Sequence, residues 1–252
     1  MGRVYLVGAG PGAADLLTLR AARLLAAADV VFHDALVEGD ILALAAKATR
    51  IAVGKRCGAH STSQRFINKR LVDAASRHEV VVRLKGGDPL LFGRAQEELD
   101  ALAAAGVEVE VVPGVTAALA AAADLRVSLT RRGVARSVAF VTPRCGEGEP
   151  PHAWARAAAG ADTVAVYMGA GDAEAVAAAL AAHGVPRERP VLVIESASRP
   201  GVRSHGGVLA ELPALAARRG GGPVLILLGE VARDAACARP AASPRTQRSA
   251  AR

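Results

Sequence analysis

Arg3-Val4-Tyr5-Leu6-Val7-Gly8-Ala9-Gly10-Pro11-Gly12, followed by the alanine- and leucine-rich stretch Leu16–Ala27, decides the fold class. A short β-branched run, a Gly/Pro loop and a helical segment together make one strand-loop-helix unit. The pattern recurs with strands expected at Val30–His33, Arg50–Val53, Glu79–Leu84 and Val107–Val112. Helices are expected at Ile41–Ala46, Gln64–Arg77, Arg94–Ala105 and Thr116–Ala123, the one at Gln64–Arg77 capped by Ser61 or Ser63. Near-continuous apolar strands of this kind predict a parallel sheet covered on both faces. After Val127–Gly133 the alternation resumes, with strands at Ser137–Thr142, Thr163–Met168, Pro190–Glu195, Val202–Gly207 and Val224–Leu228. Helices fall near Trp154–Ala159, Ala173–His183 and Ala210–Arg218. Uneven spacing and the long connections 143–152 and 196–203 predict some antiparallel pairing, hence a mixed sheet. The expected organisation is an N-terminal α/β domain over 1–124, a C-terminal α/β domain over 125–238, and a disordered Ala/Ser/Pro/Arg tail over 239–252.

Composition narrows the function classes. The chain has 252 residues, enough for one large or two small domains without disulfide staples. Its formal charge is +7, but Arg239, Arg245, Arg248 and Arg252 of the tail carry four of those charges, leaving +3 for the body. With aromatic residues at only 3 %, neither charge nor stacking supports a nucleic-acid partner. Cys57, Cys145 and Cys237 lie roughly ninety residues apart, which matches neither a metal knuckle nor a disulfide framework. The six histidines do not cluster at a metal-ligand spacing, so no metal is expected. Residues 1–7 lack a basic-then-apolar leader, and apolar runs such as Val224–Leu228 fall far short of the ~18 residues of a membrane span. A cytoplasmic protein without membrane contact is the expectation.

Three Gly/Pro loops follow expected strands. Gly8-Ala9-Gly10-Pro11-Gly12 invites a dinucleotide reading, with Asp34 as the acid after the second strand. Pro11, however, removes an amide donor just after the second glycine, which weakens that fingerprint and leaves a plain tight turn as the competing reading. Lys85-Gly86-Gly87-Asp88-Pro89 is more informative, since it sits at the carboxyl end of a strand, where open α/β sheets hold ligands. Pro113-Gly114-Val115-Thr116-Ala117 offers a hydroxyl and small side chains at a helix start. The three loops point to one rim. A fourth loop, Gly54-Lys55-Arg56-Cys57-Gly58-Ala59-His60-Ser61-Thr62-Ser63-Gln64, is basic and rich in donors, suited to covering an anion or to lying solvated on the surface. Arg126, Arg131, Arg132 and Arg136 lie where a cleft between the domains is expected. No GxSxG, HExxH or GxxxxGK[ST] string supports a hydrolase or nucleotide-triphosphate reading.

Taken in order, these strings resemble the uroporphyrinogen-III C-methyltransferases. The resemblance rests on Val4–Gly12, Asp34-Ala35-Leu36-Val37, Gly54–Ser61 with Gln64 and Ile67-Asn68, and Arg83-Leu84-Lys85-Gly86-Gly87-Asp88-Pro89 with Phe92-Gly93-Arg94. Val112–Ala117, Leu129-Thr130, Tyr167-Met168-Gly169 and Gly229-Glu230-Val231 extend it to residue 231. It implies two α/β domains of the tetrapyrrole methylase type, a parallel N-terminal and a mixed C-terminal sheet, with the active site in the cleft between them. It also implies a homodimer that uses S-adenosylmethionine twice, without a metal, to methylate carbons 2 and 7 of uroporphyrinogen III. The product is precorrin-2, formed through precorrin-1 for sirohaem or cobalamin biosynthesis. By the same resemblance Pro11, Gly86, Gly87, Asp88, Leu91, Thr116, Ala117, Met168 and Ala197 line the S-adenosylmethionine site. Asp34 is implied as proton acceptor and Lys55 as proton donor, while Arg56, His60, Arg131 and Arg132 suit the carboxylates of the tetrapyrrole.

Departures from the family pattern concentrate on the expected substrate side. His33 stands where a tyrosine is usual, Leu129-Thr130-Arg131-Arg132 replaces Leu-Thr-His-Arg, and Pro143-Arg144 replaces Gly-His. Ala95-Gln96-Glu97-Glu98 replaces Gly-Gly-Glu-Glu at a helix start. Competing readings are a precorrin methylase acting at another ring position and a noncatalytic tetrapyrrole-binding relative. A nicotinamide oxidoreductase is disfavoured by the Gly10-Pro11 step.

Overall fold

The computed structural model describes residues 1–53, 63–146, 148, 153–233 and 235. The chain divides into two compact units: the first is built from Met1–Ala121 with Ser196–Gly201 and Gly221–Leu225, the second from Ala122–Glu195, Val202–Gly220 and the residues from Ile226 onward. The expected tail 239–252 lies outside the described residues.

In the first unit β1 (Arg3–Gly8), β2 (Val30–His33), β3 (Thr49–Ala52), β4 (Val80–Lys85) and β5 (Val109–Val112) form one sheet in the order β3-β2-β4-β1-β5. All its pairings are parallel, as the apolar strands predict. Helices α1 (Leu19–Ala27), α2 (Gly39–Ala43), α3 (Gln64–Ala75), α4 (Ala95–Ala104) and α5 (Ala117–Leu125) connect the strands and lead out of the sheet.

Side chains alternate across the sheet, and each set buries against its own helices. Val4, Leu6, Phe32 and Val81 pack with Ile67 and Leu71 of α3 and Leu102 of α4. Val7, Val31, Val82 and Leu84 pack with Leu25 of α1 and Ile41 of α2. This period of two has a consequence at the end of β4: Arg83 and Lys85 share the face of Val81, so the strand carries two cations beneath α3 and α4.

Helix starts follow local capping chemistry. The hydroxyl of Ser63 accepts the amide of Phe66 at 3.3 Å, so Ser63 caps α3. The expected start of the first helix at Leu16 is corrected: Ala14–Leu16 form a 3-10 turn, and α1 begins only after Thr18, whose hydroxyl accepts the amide of Ala21 at 3.1 Å. Gly106, with φ +66°, turns the chain from α4 toward β5.

The second unit contains β6 (Val138–Val141), β7 (Thr163–Tyr167), β8 (Pro190–Glu195), β9 (Arg203–Val208) and β10 (Val224–Leu228), ordered β6-β7-β10-β8-β9. The β6/β7 pair is parallel and β8/β9 antiparallel, so the sheet is mixed. Helices α6 (Ala153–Ala159), α7 (Ala173–Ala182) and α8 (Leu212–Ala217) belong to this unit.

One device recurs in both sheets. Asp29, just before β2, accepts the amides of Glu79 and Val80 at 3.0 and 2.8 Å, tying the start of β2 to that of β4. Asp162, just before β7, accepts the amides of Arg136 and Ser137 at 2.8 and 3.0 Å and the Ser137 hydroxyl at 2.9 Å. Those bonds, that from the Arg136 amide foremost, hold the Asp162 carboxyl below its usual range. A depressed carboxylate stabilises the fold above its unfolded pKa and loses that contribution as pH falls through the folded value. Asp162→Ala is therefore expected to lower the melting temperature at neutral pH, and the difference from the parent should shrink as pH falls through the folded value, as scanning calorimetry would read. A difference that persists unchanged in acid would contradict the assignment.

Candidate active site

The loops that leave β1, β4 and β5 meet at one edge of the parallel sheet, because these strands are neighbours in the order β4-β1-β5. Gly10 and Gly87 exchange backbone hydrogen bonds, Gly87 N to Gly10 O at 2.8 Å and Gly10 N to Gly87 O at 3.2 Å. The Ala9 amide donates to the Lys85 carbonyl at 2.7 Å. Asp88 then joins the third loop: one carboxylate oxygen accepts the Gly114 amide at 2.9 Å, the other the Leu90 amide at 2.8 Å. Gly114 must be glycine here, since a Cβ would lie 2.3 Å from the Gly87 carbonyl oxygen and 2.8 Å from Gly8 Cα.

The segment Ser196–Gly201 completes this edge of the first unit. Ser196 and Ser198 flank Ala197 with φ +57° and +62°, conformations that non-glycine residues seldom hold without support. Support comes from outside the segment: the Ser196 amide donates to the Pro223 carbonyl at 2.8 Å, and the Ser198 hydroxyl accepts the Ala13 amide at 3.2 Å.

Beside this edge, at the end of β2, lies Asp34. Its carboxylate Oδ1 accepts from Arg83 Nη2 at 2.6 Å, and its side chain retains 27 % exposure. Arg83 Nε donates to Glu98 Oε1 at 3.0 Å, and Lys85 Nζ reaches both Glu98 oxygens at 3.1 and 3.0 Å. Gln64 of α3 also donates to Glu98 Oε1 at 3.1 Å, while Asn68, one turn on, donates to the Glu97 carbonyl at 2.8 Å. Arg83, Lys85 and Glu98 are buried, so two cations and one anion lie in the sheet-helix interface, with Asp34 as the partly exposed fourth charge. The four sum to zero, the condition under which such burial is tolerable.

Electrostatics rank the members. Burial works against the Arg83 guanidinium, but Asp34 and Glu98 outweigh it and hold its pKa above the ordinary value. Burial pushes the Lys85 ammonium down, and neighbouring Arg83 pushes it further, against the opposing pull of Glu98. Arg83 is thus a permanent cation fixed against Asp34, and the two form a short, charge-assisted contact.

Residues 3–213 match the model of the tetrapyrrole (corrin/porphyrin) methylases. The chain belongs to the tetrapyrrole methylase family. A siroheme synthase of Yersinia pestis (strain Pestoides F) is 46 % identical over 232 residues, which is 92 % of this chain and 49 % of the relative. The chain thus spans about half the length of the curated relatives it matches. The solved structure of a uroporphyrin-III C-methyl transferase from Thermus thermophilus, complexed with S-adenyl homocysteine, is 43 % identical with TM-score 0.81 over 92 % of this chain and all of that one. A cobalamin biosynthetic enzyme, cobalt precorrin-4 methyltransferase, shares 27 % identity and TM-score 0.77 over 91 % of this chain and 95 % of its own. The expected pair of α/β domains, one sheet parallel and one mixed, is the architecture of this methylase family.

Of the residues that the family resemblance singles out, Pro11, Gly86, Gly87, Asp88, Leu91, Thr116, Ala117, Ala197 and Asp34 all belong to the first unit. Thr116 and Ala197 are buried, whereas Gly86, Gly87 and Asp88 are half-buried at the edge. Met168 belongs to the second unit, after β7, with φ +57° and its side chain exposed. Arg131 and Arg132 are exposed in the turn 131–135 of the second unit, closed by paired backbone bonds between Arg131 and Ala135. Lys55, Arg56 and His60 lie outside the described residues.

Sequence reasoning quoted Arg83, Lys85 and Gln64 inside matched strings and Glu98 inside a departing one, but gave them no role. The signal was available: two cations with alternating spacing at the end of an otherwise apolar strand require a buried anion. His33, which stands in the family's tyrosine position, has Nδ1 3.2 Å from the Asp34 carbonyl, a contact that favours the tautomer donating from Nδ1.

Proposed function

We propose that the chain transfers two methyl groups from S-adenosylmethionine to uroporphyrinogen III, at carbons 2 and 7, giving precorrin-2 by way of precorrin-1. The observation that carries this reading is the joint arrangement of three fused glycine loops and a carboxylate held by a buried arginine at one sheet edge. The likeness to a uroporphyrin-III C-methyl transferase, at 43 % identity against 27 % for the cobalt precorrin-4 enzyme, favours this substrate over a later precorrin.

The loops suit a methyl donor with a nucleoside and an amino-acid end. Glycine backbone at Gly86 and Gly87 allows close approach, and Thr116, Ala117 and Ala197 present small groups. Asp88 contributes chiefly by fastening the β4 loop to the β5 loop, because both its oxygens accept backbone amides. Pro11, Leu91 and Met168 complete the donor-binding set in this reading.

Chemistry at the macrocycle requires little beyond orientation and proton handling. An electron-rich ring carbon attacks the sulfonium methyl; the new C–C bond forms as the C–S bond breaks, and S-adenosylhomocysteine leaves with the electron pair. The macrocycle, now cationic, loses a proton. Asp34 accepts it in this reading, aimed by Arg83, and Lys55 serves as donor when the conjugated system rearranges. Arg56, His60, Arg131 and Arg132 hold peripheral carboxylates. The same reading takes the protein as a cytoplasmic homodimer serving sirohaem or cobalamin-type biosynthesis. Among the described residues, no helix is long and apolar enough to cross a membrane.

Anaerobic incubation of the purified chain with S-adenosylmethionine and fresh uroporphyrinogen III tests the proposal. Mass spectrometry should find a tetrapyrrole heavier by two methyl groups. Unmethylated macrocycle beside demonstrated donor binding would move the substrate to another precorrin.

A further inference from the structure

Arg199 reaches three acceptors with three different nitrogens. Nε donates to the Pro11 carbonyl at 3.3 Å, Nη2 to the Leu36 carbonyl at 2.8 Å, and Nη1 pairs with the Glu38 carboxylate. All these groups lie within the first unit. Pro11 belongs to the loop after β1, Leu36 and Glu38 to the loop that begins with Asp34. A planar guanidinium can span two carbonyls and a carboxylate at fixed angles; a lysine ammonium on its flexible stem offers no such fork. The residue is mostly buried, with 16 % of its side chain exposed, so these bonds compete little with water.

The surroundings are built to admit it. Gly12 takes φ +148°, and a Cβ there would lie 2.6 Å from both Cγ and Nε of Arg199. The glycine therefore gives space to the arginine stem as well as turning the chain. Ser198, directly before Arg199, accepts the Ala13 amide, and the Arg199 amide itself donates to the Ser196 carbonyl at 3.0 Å. A strained tripeptide from the far end of the chain is thus fastened to the β1 loop at Pro11 and Ala13, and from there to the Asp34 loop.

We propose that Arg199 is a positioning residue that locks the methyl-donor loop at Pro11–Gly12 to the loop carrying Asp34, fixing donor and base relative to one another. This rests on the methyl-transfer reading for its catalytic consequence, though not for the lock itself. Arg199 touches neither donor nor substrate in this account. Its loss should spare binding and slow turnover, because small misplacements of reacting groups cost rate more than affinity.

The test compares Arg199→Met, Arg199→Lys, Gly12→Ala and the Gly12→Ala/Arg199→Met pair with the parent. Arg199→Met should lower kcat about 10- to 30-fold, with KM for uroporphyrinogen III and calorimetric affinity for S-adenosylhomocysteine each within about threefold. Arg199→Lys should recover part of the loss and also carries the test should the methionine variant fail to fold. The pair should be no slower than Gly12→Ala alone, since both changes remove one contact. A kcat within twofold of the parent, a matching loss of donor affinity, or additive effects in the pair would each overturn the proposal. Hydrogen exchange separates this from the substrate assignment. If the parent does not methylate uroporphyrinogen III, that assignment falls. The lock still stands if the amides of residues 10, 12–14 and 34–40 exchange faster together in the arginine variant, and is overturned if they do not.

Discussion

Replacing Asp34 by alanine is expected to lower methyl transfer about 10²- to 10⁴-fold, the range for removing a positioned proton acceptor. Affinity for S-adenosylhomocysteine should stay within about threefold, because Asp34 contacts Arg83 in the structure rather than the glycine loops. Asp34→Asn preserves shape and removes the charge, so it should be nearly as slow. Single-turnover product formation and calorimetric binding on the same preparations separate the two effects. Product formed by either variant at a rate within tenfold of the parent would remove Asp34 as the base.

Glu98→Ala is expected to cost about 3–5 kcal/mol of stability, the usual consequence of removing one partner from a buried ion pair. Glu98 is fully buried and receives bonds from Arg83, Lys85 and Gln64, so its loss strands two buried cations with only Asp34 nearby. Lys85 then holds its proton less tightly: burial already depresses its pKa, and the opposing pull of Glu98 is gone. A lysine depressed in the folded state favours folding more as pH rises toward its ordinary value, since the unfolded chain then binds more protons. The deficit of the variant should therefore narrow from pH 7 to pH 10 in calorimetry. Activity should fall as well, because Arg83 loses the partner that fixes its orientation toward Asp34. A melting temperature within 2 °C of the parent would show that the cluster is not a charge-balanced unit.

Most of the fold was legible because β-branched runs and alanine-rich helices have distinct periods. Val30–His33, Pro190–Glu195 and Val224–Leu228 stand as read, and the other strands differ by one or two residues at their ends. The convergence of the glycine-rich turns after strands one, four and five on one rim was legible, and the order β4-β1-β5 makes those strands neighbours, whereas the places of β2 and β3 were not read. Two features escaped that reasoning. The buried cluster of Arg83, Lys85 and Glu98 depends on which sheet face α4 covers, and a linear pattern of charges does not state it. The segment Ser196–Gly201 looked like a long connection of the second domain, yet it packs with the first unit. Its anchors to Ala13, Pro11 and Leu36 are single hydrogen bonds across some 160 to 190 positions, and no periodicity encodes contacts of that range. Ser196 and Ser198 gave no warning either, because positive φ at these serines is supported by tertiary contacts, to Pro223 and Ala13, and not favoured by residue type.

The central claim is that one site methylates the macrocycle twice at defined carbons. S-adenosylmethionine carrying ¹³C in its methyl group, incubated anaerobically with uroporphyrinogen III and the purified chain, puts that claim directly into a carbon NMR spectrum. Two labelled methyl resonances, correlated with quaternary carbons 2 and 7, are the predicted result. A label at any other ring position, or on one carbon alone after prolonged turnover, would contradict it.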